Sequence, residues 1–220
     1  MTDEFDYSIF APPLREHPCQ LYLISPQDVG GDFPARLRAA VEHEAVAAFQ
    51  LRVKGMGSHE LARLAEPLRQ ICADSDTAFI VNDDVAMAKR LDADGVHLGQ
   101  EDGDVKEARA ELGPTRQIGV TCHASRHLAM EAGERGADYV AFGAFHPSPT
   151  KPSEHRPEPG ILSWWTSLFE LPCVAIGGIT PDNAAPLVKA GADFLAVSSA
   201  IWGSDDPARA VAAFEDVLKG

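Results

Sequence analysis

"AFIVNDDVAMAKRLDADGVHLGQ", residues 78–100, decides the fold. "AFIVN" (78–82) is short and apolar and reads as a strand. "VAMAKRLDA" (85–93) carries helical spacing, and "GVHLGQ" (95–100) is a strand again. Strand, helix and strand in so few residues make one βαβ unit, whose strands must run parallel.

The same unit recurs in both directions along the chain. Upstream lie strands at 19–25 and 45–53, with helical stretches at 33–43 and 58–73. In the second of these helices Ser58 is the expected N-cap, Leu61, Leu64, Leu68 and Ile71 share one face, and Pro67 should kink the axis. Downstream come strands at 117–123, 139–145, 173–178 and 194–201. Helical stretches lie near 105–112, 125–135, 161–169 and 181–190, with a last one at 206–218. Eight strands, each followed by a helix, predict an α/β fold: a (β/α)8 TIM barrel, a single domain over residues 19–220 with residues 1–18 as an N-terminal extension. An open doubly wound sheet would carry a glycine fingerprint after its first strand, and "SPQDVGG" is not one. "RLDADGVHLG", "ERGADYVAFG" and "KAGADFLAVS" resemble one another, which points to repeated turn chemistry at the barrel's bottom.

Composition narrows the function. Apolar residues are 45% of the 220, enough for a large core. The first residues are acidic with no basic stretch ahead of an apolar run, so the expected location is cytoplasmic, with no membrane partner. Nineteen basic against thirty-three acidic residues give a formal charge of −14. Such a surface repels nucleic acid, and phosphorylated metabolites too unless cations or a metal gather in one place. Cys19, Cys72, Cys122 and Cys173 lack C-x-x-C spacing, so buried thiols are expected, with Cys122 as a nucleophile the sharper and weaker reading. A homo-oligomer is compatible with all of this.

In such a barrel the reactive groups stand at the C-terminal ends of the strands. The second strand ends "FQLRVKG", putting Gln50, Arg52 and Lys54 two apart on one face, with Leu51 and Val53 toward the helices. Two cations there need an anionic ligand or an internal acid such as Asp83. The third strand ends in Asn82, Asp83 and Asp84, and the fourth in Gln100, Glu101 and Asp102. Carboxylates on neighbouring strands suit a hard cation such as Mg2+, although Asp84 and Asp104 could simply cap the next helices. Thr121 and His123 share a face at the fifth strand's end. "FGAFHPSPTKPSE" (142–154) stiffens a loop with prolines around Ser148, Thr150 and Lys151, which is either an idle connection or an anion-binding loop. Gly178 at the end of the seventh strand, and Ser198 and Ser199 at the end of the eighth, stand at the usual phosphate site of this barrel.

Taken in order, "QLRVK", "VNDDVAMAKRLDADGVHLGQED", "IGVTCH", "GADYVAFGAFHPSPTK" and "VAIGGITPDNAAPLVKAGADFLAVSSAI" resemble the thiamine-phosphate synthase and thiazole tautomerase family. The resemblance covers residues 50 to 201 and reaches the first strand through "LYLIS". It implies coupling of a hydroxymethylpyrimidine diphosphate to a thiazole phosphate, plain or carboxylated, with Mg2+ and release of pyrophosphate. It implies that Gln50, Arg52, Lys54 and Asn82 bind the pyrimidine diphosphate and that Asp83 and Asp102 hold the metal. Thr121 and Lys151 would contact the diphosphate, and Lys151, Arg52 and Thr121 would be the catalytic groups. Ser148, Thr150, Gly178, Ser198 and Ser199 would hold the thiazole phosphate. Val53 stands where the family usually has Glu, and "GAFHPSPTK" replaces a more typical "GPVFPTPTK". The alternatives are a tautomerase built on His123, a non-catalytic phosphate-sensing barrel, or another phosphate-binding barrel enzyme.

Overall fold

The computed structural model describes residues 18–147 and 155–219. Eight parallel strands close on themselves in chain order: β1 (Gln20–Ile24), β2 (Val46–Leu51), β3 (Ala78–Asn82), β4 (Gly95–Leu98), β5 (Gln117–His123), β6 (Tyr139–Gly143), β7 (Cys173–Ile176) and β8 (Phe194–Val197). The seam is β1 against β8, with Leu21 opposite Leu195 and Tyr22 opposite Ala196. Helices α1 (Phe33–Val41), α2 (Ser58–Asp74), α3 (Val85–Arg90), α4 (Val105–Leu112), α5 (Arg126–Glu134), α6 (Gly160–Leu168) and α7 (Pro181–Lys189) follow the first seven strands. After β8 come α8 (Ser199–Trp202), α9 (Pro207–Ala212) and α10 (Glu215–Leu218). The expected (β/α)8 barrel is what the chain forms.

The strands are apolar on both faces, yet they sort their side chains strictly. Tyr22, Ile24, Ala48, Ile80, Tyr139, Ala141, Val174 and Ala196 fill the interior. The residues between them, such as Leu23, Phe49, Val81 and Phe142, pack outward against the helices. Burying both faces in this way is what makes βα alternation, rather than polar alternation, the readable signal.

Three local expectations are corrected. Gly57, not Ser58, is the N-cap of α2; it is extended, and Ser58 is already the first helical residue. The expected face of that helix packs on the core: Leu68 and Ile71 are buried with Ala65 and Cys72, and Leu61 and Leu64 pack beside them partly covered. The strand expected over 194–201 ends at Val197, because the backbone turns at Ser198 into a short helix. The last helical stretch divides in two beside the buried Phe214. Of the expected N-terminal extension, residues 1–17 lie outside the described residues.

The repeated Asp at the barrel's bottom acts as a clamp. Asp94, Asp138 and Asp193 precede β4, β6 and β8. Their carboxylates accept from the backbone N–H of Phe79 (2.7 Å), Ile118 (2.6 Å) and Cys173 (2.7 Å) respectively. Each also donates its own N–H to the carbonyl of the same residue, at 3.0, 2.8 and 3.0 Å. Every clamp thus ties the start of one strand to the start of the next, satisfying backbone groups that closing the barrel would otherwise strand. Among the described residues no helix is long and apolar enough to cross a membrane.

Candidate active site

The opposite rim of the barrel gathers the polar strand ends. Gln50 sits in β2 with only 3% of its surface exposed, and its side chain points inward, where Nε2 donates to the Tyr22 hydroxyl at 2.9 Å. The strand then ends at Leu51, so Arg52 and Lys54 leave it on the following loop. Ser25 anchors that loop, its Oγ accepting from the Arg52 N–H at 2.9 Å. Gln27 anchors it again, exchanging hydrogen bonds with the N–H and carbonyl of Lys54 at 3.1 and 2.6 Å. Val53 packs against the outer core, as the two-residue alternation requires. The Arg52 guanidinium, half-buried, has no hydrogen bond or ion pair among the described residues.

Lys54 does find an acid. Its Nζ lies 3.3 Å from Asp83 Oδ2, with 58% of the lysine side chain exposed. This is the internal pair that the sequence leaves open, in a water-facing form worth little by itself. Asp83 stands just past β3, held by its N–H to the His97 carbonyl at 2.8 Å, with φ at +65°. The left-handed region is uncommon for residues other than glycine, although Asp tolerates it, as Asp76 and Asp92 also do in this chain.

Asp102 approaches from the next strand end. One carboxylate oxygen accepts from the Gly99 N–H at 2.9 Å, and a Cβ on Gly99 would meet that oxygen at 2.4 Å. Gly99 is therefore the residue that lets the carboxylate in. The acid's pKa is raised, first by desolvation and then by a hydrogen bond and charge repulsion from Asp83; the Gly99 N–H and Lys54 oppose the rise. Two neighbouring carboxylates repel each other unless a proton or a cation lies between them. Asp84 and Asp104 are not part of this pair. They cap α3 and α4, accepting from Met87 N at 2.8 Å and from Lys106 N and Glu107 N at 2.8 and 3.2 Å. Among the described residues no group of three or more His, Cys, Asp or Glu converges as a metal cluster.

Thr121 ends the interior face of β5 and is held twice. His97 Nε2 reaches its Oγ1 at 2.8 Å, and Gln100 Nε2 donates to its carbonyl at 2.6 Å. Asn82 pairs with His97 across β3 and β4. His123 adopts φ +54°, and its ring lies 4.5 Å from that of His155. Cys122 is fully buried with its thiol pushed up to about 12 by desolvation, which overturns the nucleophile reading. All four cysteines are buried and free.

The third group lies at β7 and β8, which pair through Ile176 and Ala196. Gly177 and Gly178 have φ of +106° and +59°. A Cβ on Gly177 would strike Ala144, and one on Gly178 the Pro147 carbonyl, both at 2.3 Å. His146 N–H donates to the Gly177 carbonyl at 3.0 Å, so the end of the β6 segment is pinned beside these glycines. Ser198 is half-buried where β8 ends, and Ser199 is exposed at the start of α8. The loop itself, with Ser148, Thr150 and Lys151, lies outside the described residues. Its stem at Pro147 nevertheless starts against Gly178.

The sequence reading missed Tyr22, Tyr139, His97 and Ser25, which hold the expected residues in place. The available signal was parity: in "LYL", "VHL" and "DYV" a polar ring stands on the same alternate face as Gln50 and Thr121.

Comparison with known proteins agrees with the resemblance. A sequence model of the thiamine monophosphate synthase family matches residues 21–201. The thiamine-phosphate synthase of Erythrobacter litoralis is 65% identical over 207 residues, covering 92% of this chain and 97% of that protein. That of Rhodospirillum centenum is 50% identical over 204 residues, covering 92% and 99%. The solved thiamine phosphate pyrophosphorylase of Pyrococcus furiosus superposes with a TM-score of 0.80 at 34% identity, covering 90% of this chain and 95% of its own. The relatives named here are synthases, not tautomerases or sensors.

Proposed function

The chain belongs to the thiamine monophosphate synthase family, and from that premise we infer how its barrel mouth performs the coupling that makes thiamine phosphate. The substrates are a pyrimidine carrying a methylene diphosphate and a thiazole carrying a phosphate. The methylene carbon–oxygen bond breaks, its electron pair leaving with pyrophosphate. The thiazole nitrogen lone pair then forms the new carbon–nitrogen bond. No proton need move at the reacting centre, so the protein supplies position and charge stabilisation.

The observation that carries this reading is the charge arrangement at the rim. Asp83 and Asp102 face each other, Lys54 stands beside them, and the Arg52 guanidinium is uncommitted among the described residues. Asp83 and Asp102 offer hard oxygen donors, which fits Mg2+, an ion that takes one or two protein carboxylates and fills its shell with water and phosphate oxygens. When bound, Mg2+ would add positive charge beside the departing pyrophosphate.

Arg52 and Lys54 bring cations to the same rim, and Lys151 is assigned to join them from the loop. Gln50, whose amide carbonyl has no partner among the described residues, is assigned to the pyrimidine. Asn82 stands beside it, and the Thr121 hydroxyl contacts the diphosphate. Gly178, Ser198 and Ser199 receive the thiazole phosphate together with Ser148 and Thr150, whose loop starts beside Gly178. Purified protein given both substrates and Mg2+ should release thiamine phosphate and pyrophosphate in equal amounts. Folded protein that yields neither would contradict the reading.

A further inference from the structure

Five polar side chains cross the barrel interior beneath the mouth in an unbroken chain. Gln50 Nε2 donates to Tyr22 Oη at 2.9 Å. Tyr22 Oη lies 2.9 Å from Tyr139 Oη, Tyr139 Oη lies 3.1 Å from His97 Nδ1, and His97 Nε2 lies 2.8 Å from Thr121 Oγ1. Gln50, Tyr22, Tyr139 and His97 are all buried. The barrel is built around this line: a Cβ on Gly119 would fall 1.9 Å from the Tyr139 ring, so β5 is bare where the phenol passes. Burial raises both tyrosines well above the ordinary phenol range, so each keeps its single proton.

The order of protons along such a line follows from its first member. An amide nitrogen only donates. Tyr22 accepts from it, and its own hydrogen has one other neighbour among the described residues, Tyr139. Tyr139 therefore accepts from Tyr22 and donates to His97 Nδ1. His97 then carries its hydrogen on Nε2 and donates it to Thr121. Thr121 Oγ1 is left as an acceptor toward His97, and its own O–H has no acceptor among the described residues. It is free to turn into the mouth.

We propose that Tyr22, Tyr139 and His97 are positioning residues forming a polarity-setting relay, which fixes His97 as the Nε2–H tautomer and presents the Thr121 hydroxyl as a donor to an anion in the mouth. The kinetic half of this rests on the reading that Thr121 contacts the departing diphosphate. The tautomer half does not. A hydroxyl already committed as an acceptor on its inner side needs no reorganisation when negative charge develops beyond it, which is the condition for effective electrostatic stabilisation.

The test uses the full-length enzyme labelled with 15N-histidine. The His97 ring signals, identified by their loss in His97→Gln, should show Nδ1 unprotonated and Nε2 protonated. A ring protonated on Nδ1 would overturn the assignment. Tyr139→Phe removes one hydroxyl and keeps the ring. It should release His97 to a tautomer mixture and lower kcat by roughly tenfold, about 1.4 kcal/mol, with KM for the thiazole phosphate unchanged. Tyr22→Phe breaks the line one step earlier and leaves nothing to commit Tyr139 as an acceptor, so the His97 tautomer should become mixed there too; a pure Nε2–H ring in that variant would overturn Tyr22's place in the relay. An unchanged tautomer and unchanged kcat in Tyr139→Phe would also overturn the relay. If Thr121→Val turns over normally while the His97 tautomer is as assigned, the diphosphate contact fails and the proton order stands.

Discussion

Asp138 and Asp102 are both acids beside strand ends, at opposite ends of the barrel, and their partners differ in kind. At the bottom, Asp138 accepts from the Ile118 backbone N–H at 2.6 Å and pairs with Arg109. Arg109 in turn donates to the carbonyls of Gly113, Arg116 and Gly136 at 2.9, 2.6 and 3.0 Å. Donors and acceptors there match within the protein. At the mouth, desolvation and then a second acid, Asp83, raise the pKa of Asp102, and Arg52 has no acid at all among the described residues. Matched polar groups hold a fold together; unmatched ones of opposite sign on one rim require something from outside. The same residue type is a clamp at one end and, in the function proposed above, a ligand-holder at the other, and its neighbours decide which.

The contrast breaks first at the mouth. Asp102→Asn and Asp83→Asn should each lower kcat/KM by about 10²–10³, with a melting temperature close to wild type; a fully active Asp102→Asn would remove that acid from the site. Arg52→Ala should cost about 10² in kcat, again with little change in melting, as steady-state assays and a thermal scan would show. A marked loss of stability instead would mean that the guanidinium is structural.

At the bottom the signs reverse. Asp138→Ala strips the acid from a half-buried pair and from a backbone N–H. It should destabilise by about 2–3 kcal/mol and lower the melting temperature by several degrees. Turnover per folded molecule well below the melting transition should be unchanged. Smallest is Lys54→Met. With 58% of the lysine side chain exposed, its stability cost should stay below about 1 kcal/mol. KM for the pyrimidine diphosphate should rise several-fold, and an unchanged KM would confine Lys54 to its pair with Asp83.

The barrel is legible because each strand–helix unit repeats one pattern, and local spacing suffices to see it. The edges of that legibility are also local. Ser198 looks like a continuation of "FLAVSSAI" because serine is tolerated in strands, but its backbone turns there, and no pattern over a few residues marks the turn. The acid pair can be read because Asp83 and Asp102 end adjacent strands of a parallel sheet. The relay cannot. Tyr22 and Tyr139 are 117 residues apart, and in strands buried on both faces a tyrosine between leucine and leucine, or beside valine, reads as ordinary core. Parity with Gln50 and Thr121 marks their face, but only closing the barrel shows that these side chains meet. The "DAD" and "GAD" turns are legible as a repeat, and the hydrogen bonds explain it: three acids make the same two bonds to the neighbouring strand.

The most direct measurement is the rate of pyrophosphate release across a Mg2+ titration, for wild type and Asp102→Asn, starting from chelator-treated protein. The expected result is a saturable Mg2+ requirement in wild type and a curve displaced at least about tenfold to higher Mg2+ in the variant, the loss of one charged ligand being worth about 1.4 kcal/mol or more. Full turnover without added metal, or superimposable curves for the two proteins, would contradict a rim at which Asp83 and Asp102 hold the cation that faces the leaving diphosphate.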